Sequence, residues 1–238
     1  MTDTPIIEAR QLDTYYGASH ILHGVDLTIS ASEAVGLMGR NGMGKTTLIR
    51  TLVGHVPPGR GEVRINGIVM TRAAPHLIAR QGIAYVPEGR AIFPNLSVKE
   101  NLVMAARLGT NGRNYWTYER VLETFPRLAA RLSHGGQQLS GGEQHMLSIG
   151  RALMTNPSLL ILDEATEGLA PLIAQEIWRI IRTIRATGIA AIIVDKNFTA
   201  VSALTDRNVI LVKGRVVFEG TGNELRAMPE LLQQHLGI

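Results

Sequence analysis

"GRNGMGKTT", residues 39–47, is the stretch on which the fold turns. It matches G-x-x-x-x-G-K-[ST] in the setting that gives the pattern mechanical meaning. A nearly continuous apolar run, "EAVGLMG" (33–39), precedes it, and "KTTLIRTLVG" (45–54) follows. In the latter Leu48, Ile49, Leu52 and Val53 share one helical face, and Gly54 is placed to end the helix. The stretch therefore predicts a strand, a glycine-rich loop and a helix N-terminus. Gly39, Gly42 and Gly44 let backbone N–H groups wrap phosphates with no Cβ in the way, and the helix dipole favours the anion. Lys45 is predicted to meet the β- and γ-phosphates and Thr46 to offer its hydroxyl to Mg²⁺. Asn41 and Thr47 complete the expected nucleotide contacts of the loop.

Working outward, "VDLTI" (25–29) alternates apolar and polar residues, and Asn66-Gly67 divides "GEVRINGIVM" into two strand-like runs, a strong hairpin signal. The N-terminal third is thus expected to carry antiparallel strands. Residues 96–150 read as helical, opened by a Ser97/Glu100 capping box. Beyond them "LLILDE" (159–164) and "IAAIIV" (189–194) read as buried strands. Between them lies a helix with Ile173, Ile177, Ile180, Ile181 and Ile184 on one face. Such alternation predicts a parallel sheet covered by helices. The tail reads as a Lys213-Gly214 hairpin and a helix capped by Thr221 and Glu224.

At 238 residues the chain suits one large domain with subdomains. The net charge of +4 is scattered, which argues against a nucleic-acid partner. The absence of cysteine excludes disulfides, cysteine-ligated metals and thiol nucleophiles. With no charged and then apolar leader, a cytosolic protein is expected. No stretch reaches the roughly 18 uncharged apolar residues of a membrane span, so any membrane role is expected to be peripheral.

"LLILDE" ends in two acids. Asp163 is placed to hold Mg²⁺ through water, and Glu164 to orient or deprotonate an attacking water. "LSGGEQ" (139–144) opens a further helix, where Ser140 and the N–H groups around Gly141 and Gly142 form a second anion-binding terminus. Two phosphate-grasping helix ends exceed what one nucleotide needs from one subunit. With the phosphate loop, "LSGGEQ" and "LLILDE" in this order, the chain resembles, over essentially its whole length, the ATP-binding subunit of an ABC transporter.

The resemblance implies an α/β P-loop (RecA-like) core with a parallel sheet, an antiparallel β subdomain and a helical subdomain at about 89–150. All of these lie in a single nucleotide-binding domain, residues 1–238. It implies ATP and Mg²⁺ as cofactors and a homodimer or heterodimer with a related ATP-binding subunit, each signature closing over the other's ATP. It also implies integral membrane permease subunits, with a solute-binding protein engaged indirectly, and a peripheral place on the cytoplasmic face of the bacterial inner membrane. Tyr16, before Gly17, matches the aromatic that stacks on adenine, with Tyr15 beside it as the alternative register. Glu88 in "IAYVPEGR" matches the usual glutamine that contacts Mg²⁺ and relays to the helical subdomain, and "AIFPNLSVKENL" (91–102) matches part of the surface that meets the membrane subunits.

Three positions depart from the family pattern. Glu88 puts a charged oxygen where an amide is usual, Ala170 stands where many members have aspartate, and Lys196 stands where a histidine usually touches the γ-phosphate. A lysine there would hold the terminal phosphate as a point charge but could not accept a proton while charged. The positioning of water is then left to Glu164. "YVPEGR", "LDEATEGLAP" and the non-histidine at 196 are most similar to the smaller ATPase subunit of bacterial branched-chain amino acid importers. Subunits for urea or short-chain amides, and a control module that binds nucleotide with little hydrolysis, are the alternatives.

Overall fold

The computed structural model describes residues 4–89, 91–110 and 112–237; Arg90 of the "YVPEGR" stretch lies outside them. Among the described residues, ten strands fall into two sheets. In the first, β1 (Ile7–Tyr16), β2 (Ser19–Ile29), β4 (Arg60–Ile65) and β5 (Ile68–Val69) are antiparallel in the order β2-β1-β4-β5. Asn66 (φ 51°) and Gly67 (φ 79°) turn the last hairpin as read from the sequence.

The second sheet contains β3 (Ala34–Met38), β6 (Ile83–Val86), β7 (Leu159–Asp163), β8 (Ala190–Val194), β9 (Arg207–Val212) and β10 (Arg215–Gly220). Its order is β10-β9-β3-β8-β7-β6, and every pairing is parallel except that of β9 with β10. Strands β3, β7 and β8 are buried at every position. Both faces of this sheet are covered, so an uninterrupted apolar run replaces alternation.

Helix α1 (Lys45–Leu52) follows the phosphate loop and buries Leu48, Ile49 and Leu52 in the core it shares with the inner face of the antiparallel sheet, among Ile7, Leu12 and Leu22. A Schellman closure ends it: Gly54 (φ 78°) donates to the Thr51 carbonyl and His55 to the Arg50 carbonyl, at 3.2 and 2.8 Å. The other helices before β7 are α2 (Pro75–Arg80), which precedes β6, and α3 (Val98–Val103), α4 (Tyr118–Thr124), α5 (Pro126–Ala129) and α6 (Gly141–Leu153), which follow it.

The helical reading of 96–150 is therefore broken into short pieces. Gly109, Gly112 and Asn114 lie in one gap, and buried Asn101 organises the approach to α3. Its side chain accepts from Phe93 N–H (2.9 Å) and donates to the carbonyls of Phe93, Leu96 and Ser97. Both capping boxes read from the sequence, at Ser97/Glu100 and Thr221/Glu224, are formed. Helix α7 (Pro171–Arg185) buries Ile177, Ile180, Ile181 and Ile184 as expected, and Trp178 as well, while Ile173 is partly buried. The chain ends with α8 (Phe198–Leu204), α9 (Gly222–Arg226) and α10 (Pro229–His235).

Candidate active site

The strand order places the site. With β3, β8, β7 and β6 side by side and parallel, their carboxyl ends present in sequence the phosphate loop, Lys196, Asp163 with Glu164, and Glu88. This is the edge on which open α/β sheets hold ligands. A pocket of about 440 Å³ opens there. Asn41, Gly42, Gly44, Lys45, Thr46 and Thr47 line one side, and Glu88, Glu164 and Glu167 the other.

The loop's glycines are required by geometry. Gly39 has φ 138°, and a Cβ there would sit 2.3 Å from the Leu211 carbonyl oxygen on neighbouring β9. Gly44, the N-cap of α1, has φ 102°. Lys45 is 9 % exposed, and its ammonium spans the loop to the carbonyl oxygens of Gly39 and Arg40 at 2.8 and 3.0 Å. Burial pushes its pKa down, with the attraction of Asp163 opposing.

Asp163 is 1 % exposed. Burial pushes its carboxyl pKa up, against hydrogen bonds from the hydroxyls of Tyr85 and Thr46. Tyr85 Oη donates to Asp163 Oδ2 at 3.1 Å, and burial together with this carboxylate pushes the phenol well above its ordinary range. Asp163 Oδ1 and Glu164 Oε2 are buried with no protein partner among the described residues. A hydrated divalent cation would satisfy such oxygens, so the Thr46 hydroxyl and the two carboxylates fit Mg²⁺. Glu164 itself has φ 57°, a left-handed conformation that costs a non-glycine residue of order 1 kcal/mol and recurs at functional sites.

A profile described as "ABC transporter" matches residues 22–167. The chain belongs to this family. It is an ATP-binding, ATP-hydrolysing ABC subunit. Over 227 residues it is 40% identical to the "High-affinity branched-chain amino acid transport ATP-binding protein BraG" of Pseudomonas aeruginosa, covering 95% of this chain and 97% of the relative. It is also 33% identical over 234 residues to the "Lipopolysaccharide export system ATP-binding protein LptB" of Escherichia coli K12, covering 97% of each. A solved "ATP binding subunit of ABC transporter" superposes with a TM-score of 0.81 at 31% identity, covering 95% of this chain and 94% of that one.

The remaining residues singled out in this ABC subunit do not line the phosphate pocket, although Lys196 reaches its edge through Glu167. Ser140 caps α6, and its hydroxyl is engaged with its own helix: it donates to Glu143 Oε2 at 2.7 Å and accepts from Glu143 N–H at 3.3 Å. Neither it nor Gly141 or Gly142 lines that pocket. Gly142 also has a packing role, since a Cβ there would lie 2.5 Å from Ile173 Cγ2 on α7. Tyr16 is exposed at the end of β1, whereas Tyr15 is stacked on His20 with ring centroids 4.2 Å apart. Of the polar trio after β8, two residues have structural duties. Asp195 accepts from Thr166 N–H and Oγ1 at 2.8 and 2.7 Å, joining the loops after β7 and β8, and Asn197 caps α8. Lys196 forms an ion pair with Glu167.

Tyr85 and Glu167 escaped the sequence reading. Tyr85 left a trace, a polar-tipped ring close to the carboxyl end of an apolar run. Glu167, three residues beyond Glu164, resembled a solvated turn residue.

Proposed function

We infer that this subunit drives solute import, with branched-chain amino acids as the substrate class, through separate membrane subunits. The observation that carries the mechanism is the convergence of the phosphate loop and Glu164 on one pocket, with Asp163 beside it next to Thr46 and Glu88, and with a buried carboxylate oxygen on each of the two acids that has no protein partner among the described residues. The loop amides and Lys45 would hold the β- and γ-phosphates of ATP. Thr46 and Asp163 would hold Mg²⁺ with help from Glu88, and the ion would neutralise charge developing on the phosphoryl oxygens. Glu164 would align a water in line with the γ-phosphorus and accept its proton as the bond to the β,γ-bridging oxygen breaks, releasing ADP and phosphate.

The distance of Ser140 from this pocket supports a sandwich dimer in which each signature helix closes the other subunit's site. Beside Glu88 a groove of about 920 Å³ extends from Thr46 and Asp163 to Met104 and Arg107. Exposed Phe93, Val103, Met104 and Leu108 lie in the same helical region. This apolar surface suits a segment of the membrane subunits, and Glu88 connects it to the nucleotide. No helix among the described residues is long and apolar enough to cross a membrane, in keeping with a peripheral subunit at the cytoplasmic face. The 40% identity to BraG favours branched-chain amino acids over urea or short-chain amides.

Reconstitution with membrane subunits and a companion ATPase tests this reading. Mg²⁺-dependent hydrolysis should rise in the complex, fall by about 10²–10⁴-fold in Glu164→Gln with ATP binding kept, and support leucine or valine uptake. Normal turnover in Glu164→Gln would refute the assigned role. Urea or amide uptake in place of amino acids would refute the substrate.

A further inference from the structure

Glu167 is a third acid at a site built for phosphate. Its carboxylate lines the phosphate pocket, and single oxygens of Glu88, Glu164 and Glu167 lie within 4.8 Å of one another. Like charges so close repel one another and an incoming phosphate. The nearest cations are unequally available. Lys45 is buried against the loop carbonyls, whereas Lys196 is 57 % exposed at its side chain and held by Glu167, itself 36 % exposed. Asp195 binds Thr166, the neighbour of Glu167, so the two loops bearing the pair are joined at their base. The pair is therefore brought together by the fold.

We propose that Glu167 is a specificity-determining residue of the phosphate pocket: it holds the Lys196 ammonium in an ion pair that a terminal phosphate must displace. A doubly charged phosphoryl oxygen cluster is a stronger partner for an ammonium than one screened carboxylate. A nucleoside triphosphate captures Lys196 and releases Glu167 towards solvent. A diphosphate, ending one phosphate short, leaves the pair closed. The loop after β7, which carries both Glu164 and Glu167, thereby senses the terminal phosphate. This inference rests on the assignment of the pocket to ATP.

Equilibrium binding of a non-hydrolysable ATP analogue (adenylyl imidodiphosphate) and of ADP, both with Mg²⁺, to the full chain and to Glu167→Gln, Lys196→Gln and the double variant separates the possibilities. Neither side chain is buried in the core, so the variants should fold, which a thermal melt verifies. Glu167→Gln should tighten the triphosphate by about fivefold, the upper range for a solvent-screened pair, and ADP by less than about twofold. The gain on the triphosphate should be much smaller when Lys196 is already glutamine. Equal or greater tightening in the Lys196→Gln background would overturn the exchange and leave simple repulsion. Weaker triphosphate binding in Glu167→Gln would overturn it too, by showing that the pair supports the phosphate. Failure of the unaltered chain to bind either nucleotide would instead refute the nucleotide assignment.

Discussion

Tyr85→Phe removes one oxygen from a half-buried ring and leaves the rest of its packing in place. That oxygen is the donor to Asp163 Oδ2 at 3.1 Å, on a carboxylate only 1 % exposed whose other oxygen has no protein partner. A hydrogen bond to a charged group contributes roughly 1.5–3 kcal/mol, so its loss destabilises the ionised carboxylate relative to the acid by that order. Burial already raises the Asp163 pKa and the Tyr85 hydroxyl opposes the rise, so the variant's pKa must move further up. A proton then competes better with Mg²⁺ at every pH near and below that pKa. At pH below that pKa the Mg²⁺ concentration for half-maximal ATPase should rise by about tenfold, the equivalent of ~1.4 kcal/mol, and the increase should fade as pH rises above it. The acid limb of the pH–rate profile should move to higher pH, and kcat at saturating Mg²⁺ and alkaline pH should be largely retained. A Mg²⁺ titration at several pH values is the assay. An unchanged Mg²⁺ requirement, or a fall in kcat that neither Mg²⁺ nor base recovers, would refute the idea that Tyr85 tunes the carboxylate.

The same burial makes a stability prediction. Because the folded pKa of Asp163 is raised, the native state binds more protons than the unfolded chain in the window between the two values, so stability declines as pH rises through it. Asp163→Asn should therefore raise the thermal midpoint at neutral pH while weakening Mg²⁺-dependent turnover, and the thermal gain should shrink on acidification. A midpoint lowered at neutral pH would contradict this. Gly39→Ala combines φ 138° with a Cβ 2.3 Å from the Leu211 carbonyl oxygen. It should cost at least about 2 kcal/mol in denaturant unfolding and lower nucleotide affinity in a direct titration. Near-normal values of both would show that the loop relaxes around the new methyl.

Much of the site was legible because its chemistry is local. The phosphate loop, the acids at the end of "LLILDE" and the helix opened by Ser140 each work through residues adjacent in the chain, whose backbone conformation follows from their types. The capping boxes at Ser97 and Thr221 and the turn at Asn66-Gly67 formed for the same reason. The long helical reading of 96–150 failed where competing local signals met. Glycine and asparagine near 109–114 interrupt the period, and the side chain of Asn101 secures a loop through contacts that span up to eight residues.

By itself, then, the amino-acid order determined that a strand, a glycine loop and a helix grip phosphate, and that acids follow a second buried strand. It did not determine which strand ends stand side by side. The order β3-β8-β7-β6 decided that, bringing Glu88 and Glu164 from segments far apart in the chain to one pocket with the phosphate loop. Only there does Tyr85 meet Asp163, 78 positions further along the chain, and only there does Lys196 meet Glu167, 29 positions away. Charge and hydrogen bonding act over a few ångströms of space, whichever positions in the chain supply the partners.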